Sequence, residues 1–409
     1  MVSIKRLQLT NFKSFRHLDF EMKPLNILIG PNGAGKSNLI SFFKMMASAA
    51  DKQLASYVFG AGGLDQIRWR GDTEKSFVDW EIDFNGLQNF LYPKTIKIHT
   101  DTKYKVALYQ LGSSYFTVSN EEISEKHIVD NNVTQDVVIH SPTGNMIAIK
   151  TLDKTISWLT TPEISNRYDL NSRELAVAQV NDGSYPILNE IRNIIEDWAV
   201  FRGFGEKALE NIHQAQAIEV VNPLRLKADG SNLASVLHSM ANESQYTDAH
   251  DHLQDIIRLA FPDFDSLKLV TAGTGRVELQ WRTKNRWQFP AQALSDGMLR
   301  FLGLAVLLNL PDMPPLIAID EPEVGLHPRL IPLLAGMLKA ASTRTQIVVT
   351  THNPELLNAP DIALEDIVLV DNDDGETTLK RVEKDDYLEM WLRKYSGQFG
   401  RLWVMDKLR

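Results

Sequence analysis

Gly30-Pro31-Asn32-Gly33-Ala34-Gly35-Lys36-Ser37 is the stretch on which the reading of this chain turns. An apolar run, Leu25-Asn26-Ile27-Leu28-Ile29, precedes it, and a helical pattern, Asn38-Leu39-Ile40-Ser41-Phe42-Phe43, follows it. Strand, glycine-rich loop and helix in that order make a phosphate cradle. Glycines let backbone N–H groups turn inward around phosphate oxygens, and the helix N-terminus adds partial positive charge. In such a loop Lys36 reaches the terminal phosphates, Ser37 offers its hydroxyl to a magnesium ion, and Asn32, Gly33, Gly35 and Asn38 line the cradle.

A second set of signals lies toward the C-terminal third. Leu316-Ile317-Ala318-Ile319-Asp320-Glu321 reads as a buried parallel strand ending in two acids, with Pro322 stopping it. Ligands of open α/β sheets bind at the carboxyl ends of strands. Asp320 is placed there to hold the metal shell, and Glu321 to orient or deprotonate an attacking water. Gln346-Ile347-Val348-Val349-Thr350-Thr351 is another apolar strand, and it ends in His352, whose imidazole can contact a terminal phosphate. Ser295 and Asp296 stand where a helix N-cap falls, and Gly297 opens the first turn of the apolar helix that follows.

Taken together these motifs resemble the ABC-type ATPases of the SMC, RecF and double-strand-break-repair class. The opening Asn11-Phe12-Lys13-Ser14-Phe15 is similar to that class's N-terminal signature, which adds Lys13 to the nucleotide-binding residues. The resemblance makes Gly30 to Ser37 the Walker A motif, Leu316 to Glu321 the Walker B motif, Leu294-Ser295-Asp296-Gly297 the signature, Glu323 to Pro328 the Asp-loop region and His352 the switch histidine. It implies ATP and Mg²⁺ as ligands. It also implies a homodimer with two nucleotides sandwiched head to tail, in which Ser295 and Gly297 act in trans on the partner's ATP. A glutamine joining the metal to the dimer interface is expected, and Gln66 is the candidate. Asp296 and Met298 depart from the glycine and glutamine usual in the transporter signature, which points away from transporter subunits.

Composition limits the alternatives. At 409 residues and 44% hydrophobic content the chain can bury a substantial core. The absence of cysteine removes disulfides, thiolate metal sites and thiol nucleophiles, so any metal must sit on oxygen or imidazole. A net charge of -9 argues against coating nucleic acid over the whole surface, leaving only a local basic patch as a DNA contact. With no apolar stretch of membrane-spanning length and no secretory leader pattern, residence in the cytoplasm and no membrane contact are expected.

The fold class expected is α/β: an ABC-ATPase head with a mixed sheet around the phosphate loop, an antiparallel β lobe and a helical insertion. Its discontinuous core covers 1–90 and 265–409, the β-rich lobe 91–185 and the helical insertion 186–264. Alternation marks strands over Thr95 to His99, Lys105 to Leu111 and Val137 to Ile149. Helical spacing joins Leu188, Ile191, Ile195 and Trp198, and joins Leu233, Val236, Leu237 and Met240 after a capping stretch at Asp229 to Ser231. No heptad pattern persists, so no long coiled coil is expected.

Three further features point elsewhere. Gln280 to Trp287 mixes cations with aromatic residues, as nucleic-acid surfaces do, and reads equally as a hairpin turning at Lys284-Asn285. His250-Asp251-His252 lacks an evident third metal ligand, and Asp371 to Gly375 reads as a hairpin turn. The functional expectation is an ATPase whose dimer cycle gates a DNA-linked process, in repair or anti-phage defence. Related ATPases carry a fused Toprim nuclease; too few residues follow His352 for one here, so a nuclease or toxin effector is expected on a separate chain. The alternatives are a slowly hydrolysing ATP-bound scaffold or sensor and, more distantly, a transporter ATPase.

Overall fold

The computed structural model describes residues 2–71, 76–87, 101–112, 115–129, 132–142, 146–148, 165–167, 170–181, 186–219, 223–273, 275–395 and 397–405. The chain forms two compact units, one comprising Met1–Pro24, Gly30–Trp198 and Leu369–Lys380, the other Leu25–Ile29, Ala199–Val368 and Arg381–Arg409.

The first unit is built on an antiparallel sheet. Its order begins with Phe15–Glu21, Ser3–Phe12, Phe77–Asn85, Asp101–Leu111 and Tyr115–Val129, and continues through Asn132–Pro142, Met146–Ala148 and Ser165–Arg167. Phe77–Asn85 explains why it is a strand. Val78, Trp80, Ile82 and Phe84 are buried while the intervening acids are only partly covered, the period of two that sends alternate side chains to opposite faces. The helix Lys36–Ala50 covers the buried face. Its Phe42 meets Phe12 and Trp80 edge-on at 5.6 and 5.9 Å, and Phe43 meets Trp198 at 5.6 Å. Such aromatic pairs add specificity to the area they bury.

Two carboxylates inside this unit cap short helices. Glu121, fully buried, accepts from the backbone N–H groups of Ala176 and Val177 and from the Tyr104 hydroxyl. Glu174 accepts from Leu54 N at 2.9 Å and Ala55 N at 3.1 Å. Helix N-termini leave such donors without intrahelical partners, and a carboxylate satisfies both charge and geometry.

The second unit holds parallel strands in the order Ala199–Phe201, Leu316–Asp320, Gln346–Thr351 and Leu25–Ile29. The last three are apolar or uncharged almost throughout and buried along nearly their whole length, as expected of strands covered on both faces. The one polar side chain within Leu25–Ile29, Asn26, is satisfied by donating to Ile347 O at 3.1 Å and accepting from Arg381 Nη2 at 2.7 Å. A separate antiparallel sheet joins Phe264–Thr271, Arg276–Thr283 and Gln288–Pro290. The expected hairpin at 280–287 is therefore present, its loop running through Arg286 at φ +68°. Helices Leu233–Asn242 and Thr247–Ala260 lie beside this sheet, and Asn232 rather than Asp229 to Ser231 holds the cap position.

The expected helix through Leu188, Ile191 and Ile195 spans Pro186–Glu196, so Trp198, expected on it, lies beyond its end. Strands cover Lys105 to Leu111 and most of 137–148, while Thr95 to His99, 143–145 and Ile149 lie outside the described residues. Asp374 and Gly375 make the turn between Ile367–Asp373 and Glu376–Arg381 with φ of +49° and +85°. The longest described helix, Lys36–Ala50, has 15 residues, so no coiled-coil arm occurs among the described residues, and no described helix is long and apolar enough to cross a membrane.

Glu121→Ala strips three buried donors of their acceptor, and a loss of about 3 kcal/mol in stability is expected, read as a lower unfolding midpoint. Burial raises the Glu121 pKa, its three hydrogen bonds opposing the shift. Folding then binds a proton above the unfolded-state pKa, so the associated stability is complete below that pKa and is lost as pH rises through the folded-state value. The gap between wild type and Glu121→Ala should narrow across that window in midpoints measured against pH.

Candidate nucleotide site

In the first unit the glycines of the phosphate loop are demanded by close approach. A Cβ on Gly30 would lie 2.1 Å from Val370 O, and one on Gly35 would lie 2.1 Å from Thr377 Oγ1 and 2.7 Å from Ser14 Oγ. Gly33 and Gly35 also adopt φ of +79° and +102°, which L side chains rarely enter. Gly35 stands at the N-cap of the helix beginning at Lys36. Asn32, Gly33 and Ser37 are exposed at the lip of the loop, whereas Lys36 is buried and its Nζ donates to Gly30 O at 2.8 Å and Pro31 O at 2.9 Å. An ammonium held by the loop's own carbonyls sits beneath the turn that presents the backbone donors.

Ser14 is the hub that fixes this loop. Its Oγ accepts from Asn38 Nδ2 and from Thr377 Oγ1, both at 2.7 Å, and Thr377 Oγ1 also lies 2.7 Å from Ala34 O. Lys13, just before it, takes φ +51°. Lys13, Ser14, Asn38, Gln66 and Trp69 line a cavity of about 420 Å³. Gln66 lies on the short helix Leu64–Ile67 and accepts from Arg70 Nη2. Thus Lys13, Asn38 and Gln66 share one cavity, and Ser14 and Thr377 are loop-fixing positions to which the sequence reading gave no role of their own.

In the second unit two adjacent strand ends carry the acids and the histidine. The register pairs Asp320 with Thr350, and Thr350 Oγ1 donates to Asp320 Oδ1. Glu321 leaves the strand at φ +50°, its N–H shared between Thr350 O and Thr350 Oγ1, both at 3.1 Å. That conformation turns its carboxylate to His352, whose Nε2 lies 3.0 Å from Glu321 Oε1, with both side chains about one-third exposed. Asp320, Glu321 and His352 are brought together as neighbours. The threonines that hold them, Thr350 and Thr351, are visible in the sequence only as two β-branched residues before a histidine.

Ser295 caps the helix Asp296–Leu308, its Oγ accepting from Met298 N at 3.3 Å, and it is exposed together with Asp296. Gly297 is packed so closely that a Cβ there would lie 2.9 Å from Gly325 O. Gly297 is therefore fixed by the loop that follows the acid pair. Among the described residues no group of three His, Cys, Asp or Glu side chains could hold a metal, which leaves His250-Asp251-His252 as a surface feature of the helix Thr247–Ala260.

A glycine cradle before a buried lysine, and an acid pair beside a histidine at parallel strand ends, define a nucleotide-hydrolysing protein. A family model described as AAA ATPase domain matches residues 3–266, and one described as AAA domain, putative AbiEii toxin, Type IV TA system matches residues 181–358. The chain belongs to the AAA ATPase domain family, and it is an ATPase. It is similar to the Retron Ec83 probable ATPase of Escherichia coli, 23% identical over 402 residues that cover 87% of this chain and 69% of that protein. It is also similar to endonuclease GajA of Bacillus cereus (strain VD045), 20% identical over 87% of this chain, spanning 56% of GajA's length. A stretch of 49 residues, 12% of this chain and 13% of that protein, is 45% identical to the DNA replication and repair protein RecF of Moorella thermoacetica. The fold is that of SMC heads: the SMC head bound to the C-winged helix domain of ScpA superposes with a TM-score of 0.53 at 13% identity, covering 95% of this chain and 99% of that one. An SMC head with an extended coiled coil from Pyrococcus furiosus gives a TM-score of 0.50 at 12% identity, covering 97% and 99%.

Gly35→Ala adds a methyl group where Thr377 and Ser14 leave no room and where φ is left-handed. ATP affinity, followed with a fluorescent analogue, is expected to fall at least about tenfold, and the unfolding midpoint to drop with it.

Proposed function

We propose that this ATPase works as a nucleotide-gated dimer, hydrolysing ATP with Glu321 as the residue that orients or deprotonates the attacking water. The observation that carries this reading is the 3.0 Å contact between Glu321 and His352 beyond the ends of two parallel strands. An imidazole that holds the carboxylate can also follow a terminal phosphate, so the two side chains make one unit that responds to the γ-phosphate. Lys36 and the backbone of Asn32 to Gly35 carry the phosphates, and Lys13 and Asn38 bound the same nucleotide.

The ion we assign to this chemistry is Mg²⁺. Ser37 in the first unit and Asp320 in the second each offer an oxygen of the hard kind this ion takes, and magnesium at nucleotide sites is held by one or two protein oxygens together with phosphate and water. The ion would supply charge neutralisation on the phosphates. Gln66 joins this group in our reading, its side chain lining the cavity beside Lys13 and Asn38.

Ser295 and Gly297, exposed and partly exposed at a helix N-terminus, are the groups we assign to the partner's nucleotide in a homodimer. The process gated is DNA-linked, in repair or anti-phage defence. Support for this comes from the similarity to a retron ATPase, to the endonuclease GajA and to a short stretch of RecF, and the effector we assign to it is a nuclease or toxin. A second reading, a slowly turning ATP-bound scaffold, is favoured by the same Glu321–His352 contact, because a carboxylate already engaged must release the imidazole before it activates water.

Steady-state hydrolysis and solution mass, measured with and without ATP and with added double-stranded DNA, test the proposal. Glu321→Gln should retain ATP binding, lose about 100-fold or more in turnover and accumulate as an ATP-bound dimer. Lys36→Ala should weaken binding itself. Ser295→Arg should bind ATP as a monomer. Full turnover by Glu321→Gln, or an ATP-dependent dimer of Ser295→Arg, would overturn the corresponding assignment, and wild-type turnover slower than about one per minute would favour the scaffold.

A further inference from the structure

Glu323 lies two residues beyond Glu321, and its side chain is buried, only 8% of the residue being exposed. Its Oε1 accepts two hydrogen bonds from the end of the neighbouring strand: from Thr351 Oγ1 at 2.5 Å and from the backbone N–H of His352 at 3.1 Å. Thr351 Oγ1 in turn accepts from Asn353 N at 2.9 Å. Its other oxygen, Oε2, is buried without a hydrogen-bond partner among the described residues. A buried carboxylate oxygen left unsatisfied is costly, and an apolar side chain of similar size would avoid that cost. The two bonds made by Oε1 fall on the backbone of His352 and on the residue before it.

We propose that Glu323 is a positioning residue for hydrolysis: it fixes the backbone from which the His352 imidazole reaches Glu321. The inference rests on the roles given above to Glu321 and His352. Both anchors of the imidazole are needed, because the side chain can swing about its own bonds only from a fixed Cα. Thr350 holds Glu321 through its backbone N–H, and Glu323 holds His352 through its backbone N–H. The two strand ends are thus tied in both directions, and the 3.0 Å contact between carboxylate and imidazole is the product of both ties. Without Glu323 the Thr351 hydroxyl and the His352 N–H lose their common acceptor, and the imidazole is released from its place.

Geometry of this kind acts on the chemical step rather than on affinity, since the phosphate cradle is built elsewhere in the chain. In the full chain, Glu323→Leu is expected to lower kcat for ATP at least tenfold while KM and the affinity for a non-hydrolysable ATP analogue stay within about twofold. Glu323→Gln keeps an acceptor oxygen at the same place and should restore kcat to within about threefold of wild type. Thr351→Val removes one donor without changing shape, provides the test should Glu323→Leu fail to fold, and should lower kcat with the same KM. Combined with Glu323→Leu it should add nothing further, as expected of residues in one network. A folded Glu323→Leu with wild-type kcat, a rise in KM in place of the fall in kcat, or full additivity with Thr351→Val would overturn the positioning role. His352→Ala and Glu321→Gln separate this outcome from failure of the underlying reading. If those two hydrolyse normally, the hydrolytic assignment itself falls; if they are inactive while Glu323→Leu is not, only the role of Glu323 falls.

Discussion

The register between Leu316–Asp320 and Gln346–Thr351 is the constraint on which the chemistry of the second unit depends. It sets Asp320 beside Thr350, so that one hydroxyl meets the carboxylate of Asp320 and the N–H of Glu321. A slip of one residue would turn every side chain of a strand to the other face. Thr350 would then lose Asp320, and Thr351 would lose Glu323. Burial guards against that slip, because the apolar residues Ile317 to Ile319 and Ile347 to Val349 have no exposure to give up.

In the first unit the corresponding constraint is steric. The loop at Gly35 approaches the Ser14 and Thr377 side chains so closely that only a glycine fits, and the contacts come from segments 21 and 342 positions away by residue number, at Ser14 and Thr377. The loop's shape is therefore imposed by two distant segments of chain at once. Gly30 meets the same kind of limit against the carbonyl of Val370. Packing this tight lets a loop keep a conformation that glycine, with its high unfolded-state entropy, would otherwise leave loosely defined.

Local pattern made much of this legible. The glycine spacing before Lys36, the apolar strand ending in Asp320 and Glu321, the strand before His352 and the capping serine at 295 each depend on neighbours in sequence, and the fold class follows from their order. The hairpin at Asp374-Gly375 was readable for the same reason, since two successive positive φ angles call for those residue types. What pattern left out is long-range. The strand Ala199–Phe201 has three residues, too few for any period to emerge, and it exists because Leu316–Asp320 offers an edge for parallel pairing. Glu323 reads, by resemblance, as no more than the start of the Asp-loop region until Thr351, 28 positions away, is seen to donate to it. Thr377 is one of two threonines in an ordinary alternating strand, and its contact with Ala34 spans 343 positions.

Backbone strain sets a few residues apart from those that merely turn the chain. Among the described residues the non-glycine positions with positive φ are Asn11, Lys13, Lys52, Arg286, Glu321 and Asp374. Arg286 and Asp374 lie in hairpin loops, and Lys52 follows a helix end, places where left-handed residues satisfy ordinary turn geometry. Asn11 and Lys13 flank the turn that delivers Ser14 to the phosphate loop. Glu321 opens a turn, its carbonyl accepting from Val324 N at 3.2 Å, yet such a turn calls for no positive φ at its first residue. A glutamate in the left-handed region is disfavoured by about 1–2 kcal/mol, yet the two bonds from its N–H to Thr350 hold it there. An extended backbone would continue the strand direction and send the carboxylate elsewhere, so the strain is the means by which the acid reaches the imidazole. The orphaned oxygen of Glu323 is a second unfavourable feature within the same few residues. Two such costs at one strand end, each tied to the placement of the Glu321 or His352 side chain, mark that end as the place we assign to hydrolysis.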